Sequence, residues 1–100
     1  MYVRLFSSAI DPSDLHGVRQ IFEEDIAPVF EALPGCVSME LLLGMDRNAG
    51  GLVDAAALSR WKSQDELTAA IGSREVAESM VRILPFLQLE PVIRMFEIFE

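Results

Sequence analysis

The hydrophobic positions of the chain follow two different periods, and the changes between them predict its elements. Residues 2–10 are rich in β-branched, aromatic and small side chains and end at Asp11-Pro12, which predicts a strand followed by a capped helix start. Between residues 15 and 33 the apolar positions recur at spacings of three and four, which is typical of an amphipathic helix. Pro28 lies inside this pattern and predicts a kink, because its ring collides with the carbonyl four residues earlier.

The second half of the chain repeats this order, starting from a pair of strands. Val37 to Met45 and Leu52 to Trp61 are predicted to pair as a β-hairpin around a glycine-rich turn. Ser63-Gln64-Asp65-Glu66 has the pattern of a capping box, so a second helix is expected to begin there. That helix is expected to break and restart at Gly72-Ser73, and a proline then opens a last strand over residues 92–99.

The resulting order, β-α-β-β-α-β, predicts a ferredoxin-like α+β fold formed by residues 1–100 as a single domain. In this fold a four-stranded antiparallel sheet carries two helices on one face. The strands at 37–45 and 92–99 are apolar on both sides, whereas a sheet with one wet face would alternate cleanly. We therefore expect a homodimer in which the sheets of two protomers pack together as a barrel.

Composition and charge narrow the choice of partners. A hydrophobic content of 51% in a chain of 100 residues leaves more apolar surface than one small domain can hide, which also favours self-association. A formal charge of −8, with no cluster of basic residues, excludes nucleic acid and anionic membrane surfaces as expected partners. The single cysteine cannot form an internal disulfide, and the apolar start is too short for a signal peptide, so a cytoplasmic protein is expected.

The sequence predicts neither a metal site nor a cofactor. One histidine and one cysteine are too few to build a zinc or iron site. No glycine-rich phosphate loop and no nucleotide-binding fingerprint occurs.

Two short motifs resemble those of the dimeric α+β barrel superfamily, and within it the antibiotic-biosynthesis-monooxygenase (ABM)-like domains. They are Pro34-Gly35-Cys36-Val37-Ser38-Met39-Glu40-Leu41 on the second strand and Trp61-Lys62-Ser63-Gln64-Asp65-Glu66-Leu67 where the third strand meets the second helix. The resemblance implies a homodimer with a pocket between sheet and helices in each protomer. Members include cofactor-free oxygenases acting on quinols and aromatic polyketides, haem-degrading enzymes, and proteins without an assigned activity.

The residues of those members carry over only in part. Members that oxidise polyketides or bind haem combine the tryptophan matched by Trp61 with an asparagine on the first or third strand, whereas Asn48 falls in the predicted turn. Haem degradation also requires a histidine on the second helix. The only histidine here, His16, lies on the first helix, which argues against haem as a ligand. Arg94 is a candidate for the last-strand arginine that some oxygenase members use near the substrate.

The charged candidates each have a structural and a functional interpretation. Arg4 and Arg94 fall on strands expected to be neighbours, where they would either form ion pairs or bind a carboxylate, phenolate or developing enolate oxygen. The ion-pair partners considered are Glu40, Asp54 and Glu97. His16 is either a solvated surface residue or a general base.

The aromatic candidates concern binding. Trp61 would stack on a flat substrate, or it would anchor the third strand to the second helix with its indole nitrogen bonded to a carbonyl. Phe6 and Phe96 are assigned with Trp61 and Arg4 to substrate binding.

The leading hypothesis is a small-molecule-binding homodimer that oxidises or isomerises an aromatic or quinol-like compound without a cofactor. Arg94 or Arg4 would hold the oxyanion, His16 is the second catalytic candidate, and a monooxygenase-like activity is favoured. The alternative is a non-catalytic dimeric binding or structural protein, and a third possibility is haem binding without degradation. A cavity of several hundred cubic ångströms beside Trp61 would favour the first hypothesis over the second.

Overall fold

The computed structural model, which describes every residue from Met1 to Glu100, has the four strands that the sequence predicts. These strands are β1 (Tyr2–Ile10), β2 (Cys36–Arg47), β3 (Val53–Trp61) and β4 (Val92–Glu97). The helices are α1 (Leu15–Ile21), α2 (Ala27–Glu31), α3 (Gln64–Ile71) and α4 (Arg74–Ser79). A π-helical turn, Phe22–Ile26, joins α1 to α2, and short 3-10 turns occur at Pro12–Asp14 and Leu84–Phe86.

The strands form one antiparallel sheet in the order β2-β3-β1-β4. The last strand therefore pairs with the first, and the ferredoxin-like arrangement is confirmed. In the central pair Tyr2 lies opposite Trp61 and Ile10 opposite Val53. Because side chains alternate along a strand, this register decides which residues share a face.

The first helix begins as the sequence predicts and then accommodates a proline. The Asp11 carboxylate accepts hydrogen bonds from the Ser13 amide at 2.9 Å and the Ser13 hydroxyl at 2.7 Å. Further along, the Ala27 N–H donates to the Phe22 carbonyl, five residues back, as in a π-helical turn. This wider turn directly precedes Pro28, where the sequence predicts a steric collision, and we attribute the irregularity to that proline.

The second helical region has both predicted caps. The Glu66 amide donates to Ser63 Oγ at 3.2 Å, while the Ser63 hydroxyl donates to Glu66 Oε1 at 2.9 Å. The Glu66 side chain thus bonds the hydroxyl rather than the backbone N–H that a capping box predicts. Ser73 caps α4 through the Val76 amide, and α4 ends at Ser79, well before Pro85.

The two faces of the sheet are packed differently. The helices cover the face that carries the even-numbered residues of β1, and the hydrophobic core lies there. We call the other side the open face; its apolar residues are Val3, Leu5, Leu42, Ala56, Leu58, Val92 and Phe96. Leu42, Val92 and Phe96 are 44%, 51% and 49% exposed, so the uncovered side of the sheet carries exposed apolar side chains, as predicted. None of the helices has the length and apolar character that crossing a membrane requires.

Candidate functional site

An apolar cavity of about 40 Å³ lies between the helix-covered face of the sheet and the helices. The π-helical turn supplies Phe22 and Ile26 to its wall, while β1 supplies Phe6, Ser8 and Ile10. Ser8 is the one polar lining residue, and its hydroxyl already donates to the Leu89 carbonyl at 2.7 Å. No ionisable side chain lines the cavity, so it suits an apolar group rather than a charged one.

Arg4 lies one position beyond the cavity on the same face of β1. It is only 8% exposed, and its Nε has no hydrogen-bond partner. Burial lowers the pKa of Arg4, because desolvation disfavours the charged guanidinium. Its Cζ lies 5.6 Å from the centre of the Phe6 ring, within the range of a cation–π contact. Phe6 therefore separates the guanidinium from the cavity that its ring helps to line.

None of the acidic residues expected to pair with Arg4 or Arg94 does so. Glu40 pairs with Arg60 on the open face, with Nε and Oε1 3.8 Å apart. Asp54 accepts a hydrogen bond from Asn48 Nδ2 at 3.2 Å. Glu97 lies opposite Tyr2, and its negative charge raises the pKa of the Tyr2 phenol.

Trp61 is a core residue with no exposed surface. Its Nε1–H donates to Ser59 Oγ at 2.9 Å rather than to a carbonyl, which corrects the predicted partner. Its ring meets Phe30 edge-on, with centroids 6.4 Å apart and planes at 63°. The cavity does not reach Trp61, so the expected large cavity beside it is not found, and a flat ligand has no access to its ring.

The six site residues predicted from the sequence fall into three places. Arg4, Phe6 and Trp61 lie on the helix-covered face. Arg94 and Phe96 lie on the open face, because Arg94 is opposite Leu5 and Phe96 opposite Val3 in the register of β1 and β4. His16 is exposed on the outer side of α1, in an open surface groove.

Ser59 was missed by the sequence analysis, whereas the position of Asn48 was predicted correctly. Ser59, which lies opposite Arg4 in the sheet and is 1% exposed, was not identified as a candidate. Its position two residues before Trp61 was the available signal, because such residues share a face of a strand. Asn48 lies in the β2–β3 turn, as predicted, where its Oδ1 accepts from the amides of Gly50 and Leu52.

No three histidine, cysteine, aspartate or glutamate side chains come together in a way that would hold a metal ion. Next to the cavity, Arg4 and Ser59 instead provide hydrogen-bond donors that have no acceptor in the chain. Such atoms suit an anionic oxygen.

Neither a protein-family model nor a curated protein matches the sequence. Solved structures do match it. A mutant form of SnoaB, a cofactor-independent oxygenase from Streptomyces nogalater, is 16% identical with a TM-score of 0.70, covering 99% of this chain and 94% of that one. A Nitrosomonas europaea protein, provisionally described as an antibiotic biosynthesis monooxygenase, is 9% identical with a TM-score of 0.76, and each chain is covered in full.

A third match is Rv0793 from Mycobacterium tuberculosis, which is 17% identical with a TM-score of 0.71 and covers 99% of this chain and 95% of that one. At identities this low, a match shows a shared backbone arrangement and not a shared chemistry. Together the matches show that the chain has the ferredoxin-like α+β fold of the ABM-like proteins.

Proposed function

We propose that the chain is a small-molecule-binding α+β barrel protein that acts as a cofactor-independent monooxygenase on an aromatic or quinol-like compound. The ligand would have an apolar body and one oxygen that ionises. The observation that carries this proposal is the buried, unpaired guanidinium of Arg4, which lies next to an apolar cavity.

An unpaired buried charge needs an explanation. Removing an ion from water costs several kcal/mol even after the protein relaxes, and buried cations are usually compensated by a carboxylate. This chain has twice as many acidic as basic residues, yet Arg4 has no acidic partner. A ligand that brings the negative charge would supply the missing partner.

The same guanidinium would promote the proposed chemistry. A positive charge beside a phenol or enol lowers its pKa, because the ionised oxygen is stabilised. The proton would pass to water, since no titratable side chain lines the cavity. With an anthrone, the electron-rich anion of its enol form would react with O2: the ring CH2 of the keto form becomes C=O with one oxygen atom, and the other oxygen leaves as water with the two hydrogens. SnoaB, with the same fold, is described as a cofactor-independent oxygenase, which makes the reaction class a reasonable one to test.

Ligand entry would require Phe6 to move. A cavity of about 40 Å³ is smaller than the roughly 150 Å³ known to hold benzene in an engineered protein core. Rotation of the Phe6 ring away from Arg4 would enlarge the cavity and expose the guanidinium to it in one step. The Phe6 side chain is only partly buried, so such a rotation does not disrupt the centre of the core.

We also propose that two copies associate through the open face. The half-exposed apolar side chains of that face support this association, because contiguous apolar patches on a protein surface mark interaction sites. Arg94 and His16, the two catalytic candidates named from the sequence, lie away from the cavity. Arg4 lies next to it, so we assign the oxyanion to Arg4. Loss of turnover in Arg94→Ala or His16→Gln would move the proposed site to the open face or to the outer side of α1.

Oxygen uptake with a panel of quinols and anthrones tests the proposed activity. We expect turnover by the wild-type protein and at least a hundredfold loss in Arg4→Met, which keeps the length of the side chain but removes its charge. Arg74→Met is the matched control, because Arg74 is exposed and pairs only with Glu78 on α4. Unchanged turnover in Arg4→Met would contradict the role of the guanidinium.

The second candidate function is a non-catalytic binding or structural protein. The small volume of the cavity and the lack of an ionisable lining residue favour it. Ligand binding without oxygen uptake by any member of the panel would establish this alternative. Titration with haem is expected to give no Soret shift, because His16 lies on the surface, away from the cavity.

A further inference from the structure

We infer that Ser59 is a second ligand of the anionic oxygen and that Trp61 is a positioning residue that orients the Ser59 hydroxyl. Both roles depend on the proposed anion site: Ser59 would contact its ligand directly, and Trp61 would act through Ser59. Arg4 and Ser59 are direct partners across β1 and β3, so their Cβ atoms lie about 5 Å apart on the helix-covered face.

Two hydrogen-bond donors of this pair have no acceptor in the chain. A serine hydroxyl offers one donor and two acceptor positions, and Ser59 Oγ accepts from Trp61 Nε1–H at 2.9 Å. The hydroxyl proton of Ser59 has no acceptor in the chain, and neither does Nε of Arg4. Buried polar groups are almost always paired, so two adjacent unused donors indicate a missing acceptor.

The neighbouring strands do not provide that acceptor. Met39 of β2 lies beside Ser59, and Met95 of β4 lies beside Arg4, so methionines flank the pair on both sides. Because the unused groups of Arg4 and Ser59 both donate hydrogen bonds, they would bind a ligand atom that accepts them. With a single apolar cavity next to them, the chemistry favours the oxygen of a phenolate or enolate.

Trp61 would act on the ligand only through Ser59. Its indole N–H can only donate, so it occupies a lone pair of Ser59 Oγ and leaves the hydroxyl proton free to point elsewhere. The ring itself is held by complete burial and by its edge contact with Phe30. Its role would therefore be to fix the direction of a donor rather than to stack on a substrate.

The cavity lies in the adjoining row of residues on the same face. Phe6 and Ala57, direct partners across β1 and β3, both line it and stand next to Arg4 and Ser59 along the strands. A ligand whose ring displaces Phe6 would therefore place its oxygen near the two donors while its body fills the cavity.

The ionisation of bound 4-nitrophenol, followed by the visible absorbance of its phenolate, tests this inference without requiring catalysis. We expect the wild-type protein to lower the pKa of the bound probe and Arg4→Met to abolish that shift. Ser59→Ala is expected to reduce the preference for the ionised probe about tenfold, the effect of one hydrogen bond to a charged group. Trp61→Phe, which keeps the ring and removes the N–H, is expected to reduce it about threefold.

Controls separate a role in recognition from a role in folding. Ser38→Ala removes another buried serine hydroxyl without a partner, on β2, and is expected to leave the bound pKa unchanged. The series is repeated with Phe6→Ala, which uncovers Arg4 and enlarges the cavity. Equal probe pKa values in wild type, Ser59→Ala and Trp61→Phe would overturn the inference, as would the absence of any shift in both the wild-type and Phe6→Ala proteins. A shift without oxygen uptake would leave the anion site standing and refute only the proposed oxidation.

Discussion

Arg4 and Arg60 lie on opposite faces of the same sheet and differ both in burial and in pairing. On the open face, Arg60 is partly exposed and has a carboxylate partner, Glu40, at 3.8 Å. On the helix-covered face, Arg4 is 8% exposed and has none. An exposed ion pair contributes about 0–1 kcal/mol, so the pairing occurs where it matters least for stability. The unpaired charge occurs where desolvation is greatest, which is the expected signature of a binding group rather than of a structural one.

The two faces also differ in what completes their packing. Over β1, β2 and β3 the helix-covered face is packed by side chains of the same chain, with Trp61 and Phe30 in its core. At the β4 edge of that face, Ile93 and Met95 are 48% and 58% exposed. The open face presents half-exposed apolar side chains that no element of the chain covers. Intramolecular packing therefore accounts for most of one face, whereas the apolar side chains of the other face are those that the proposed second copy would cover.

The largest expected effect is on the free energy of unfolding, and it is tested by truncating one side chain on each face. Trp61→Ala should lower the free energy of unfolding by about 3–5 kcal/mol, because it leaves a large void in a closed core. Leu42→Ala, on the open face, should cost under about 1 kcal/mol at protein concentrations where the chain is monomeric. Urea denaturation at several concentrations measures both. Similar losses at the lowest concentration would remove the distinction between the faces.

The next effect concerns association. Leu58→Glu places a charge in the middle of the open face and should weaken the proposed dimer at least a hundredfold, as measured by analytical ultracentrifugation. Val81→Glu is the control, because Val81 is 62% exposed and lies outside the sheet. A dimer that survives Leu58→Glu would show that copies associate through another surface.

Replacing Arg4 is expected to change the free energy of unfolding by a smaller amount than Trp61→Ala and in the opposite direction. Arg4→Met should raise the free energy of unfolding by about 1–3 kcal/mol while it abolishes anion binding, because an uncompensated buried cation is replaced by an apolar chain. Arg60→Met should change it by less than about 1 kcal/mol. Thermal denaturation compares the two variants. A destabilised Arg4→Met would indicate that the guanidinium has a structural role.

The smallest expected effect is a pH dependence at the start of α1. Hydrogen bonds from Ser13 lower the pKa of the Asp11 carboxyl below its ordinary value of 3.8. The stability that this cap contributes is therefore present above pH 3.8 and is lost as the pH falls through the lower folded-state value. The difference in melting temperature between wild type and Asp11→Asn, which still caps but does not ionise, should shrink or reverse over that range. A difference that does not vary with pH would contradict the lowered pKa.

The sequence by itself determined the order and type of the elements. The 3.6-residue period predicted both helical regions, and strand-forming residues with their flanking turn signals predicted the strands. The third strand was predicted mainly from the turn before it and the cap after it. Caps at Asp11, Ser63 and Ser73 were equally local and are present in the structure. The apolar character of both sheet faces followed from the lack of a clean apolar–polar alternation in the second and last strands.

Tertiary structure decided how the polar residues meet. Arg4 and Ser59 are 55 positions apart, and only the register between β1 and β3 places them side by side. The register of β4 sends Arg94 to the opposite face, although the pairing of the two strands was predictable. The cavity arises where the π-helical turn before Pro28 packs over β1, and it does not reach the tryptophan beside which the sequence predicts a pocket. Local periodicity fixes which residues alternate, but only long-range packing fixes which of them become neighbours.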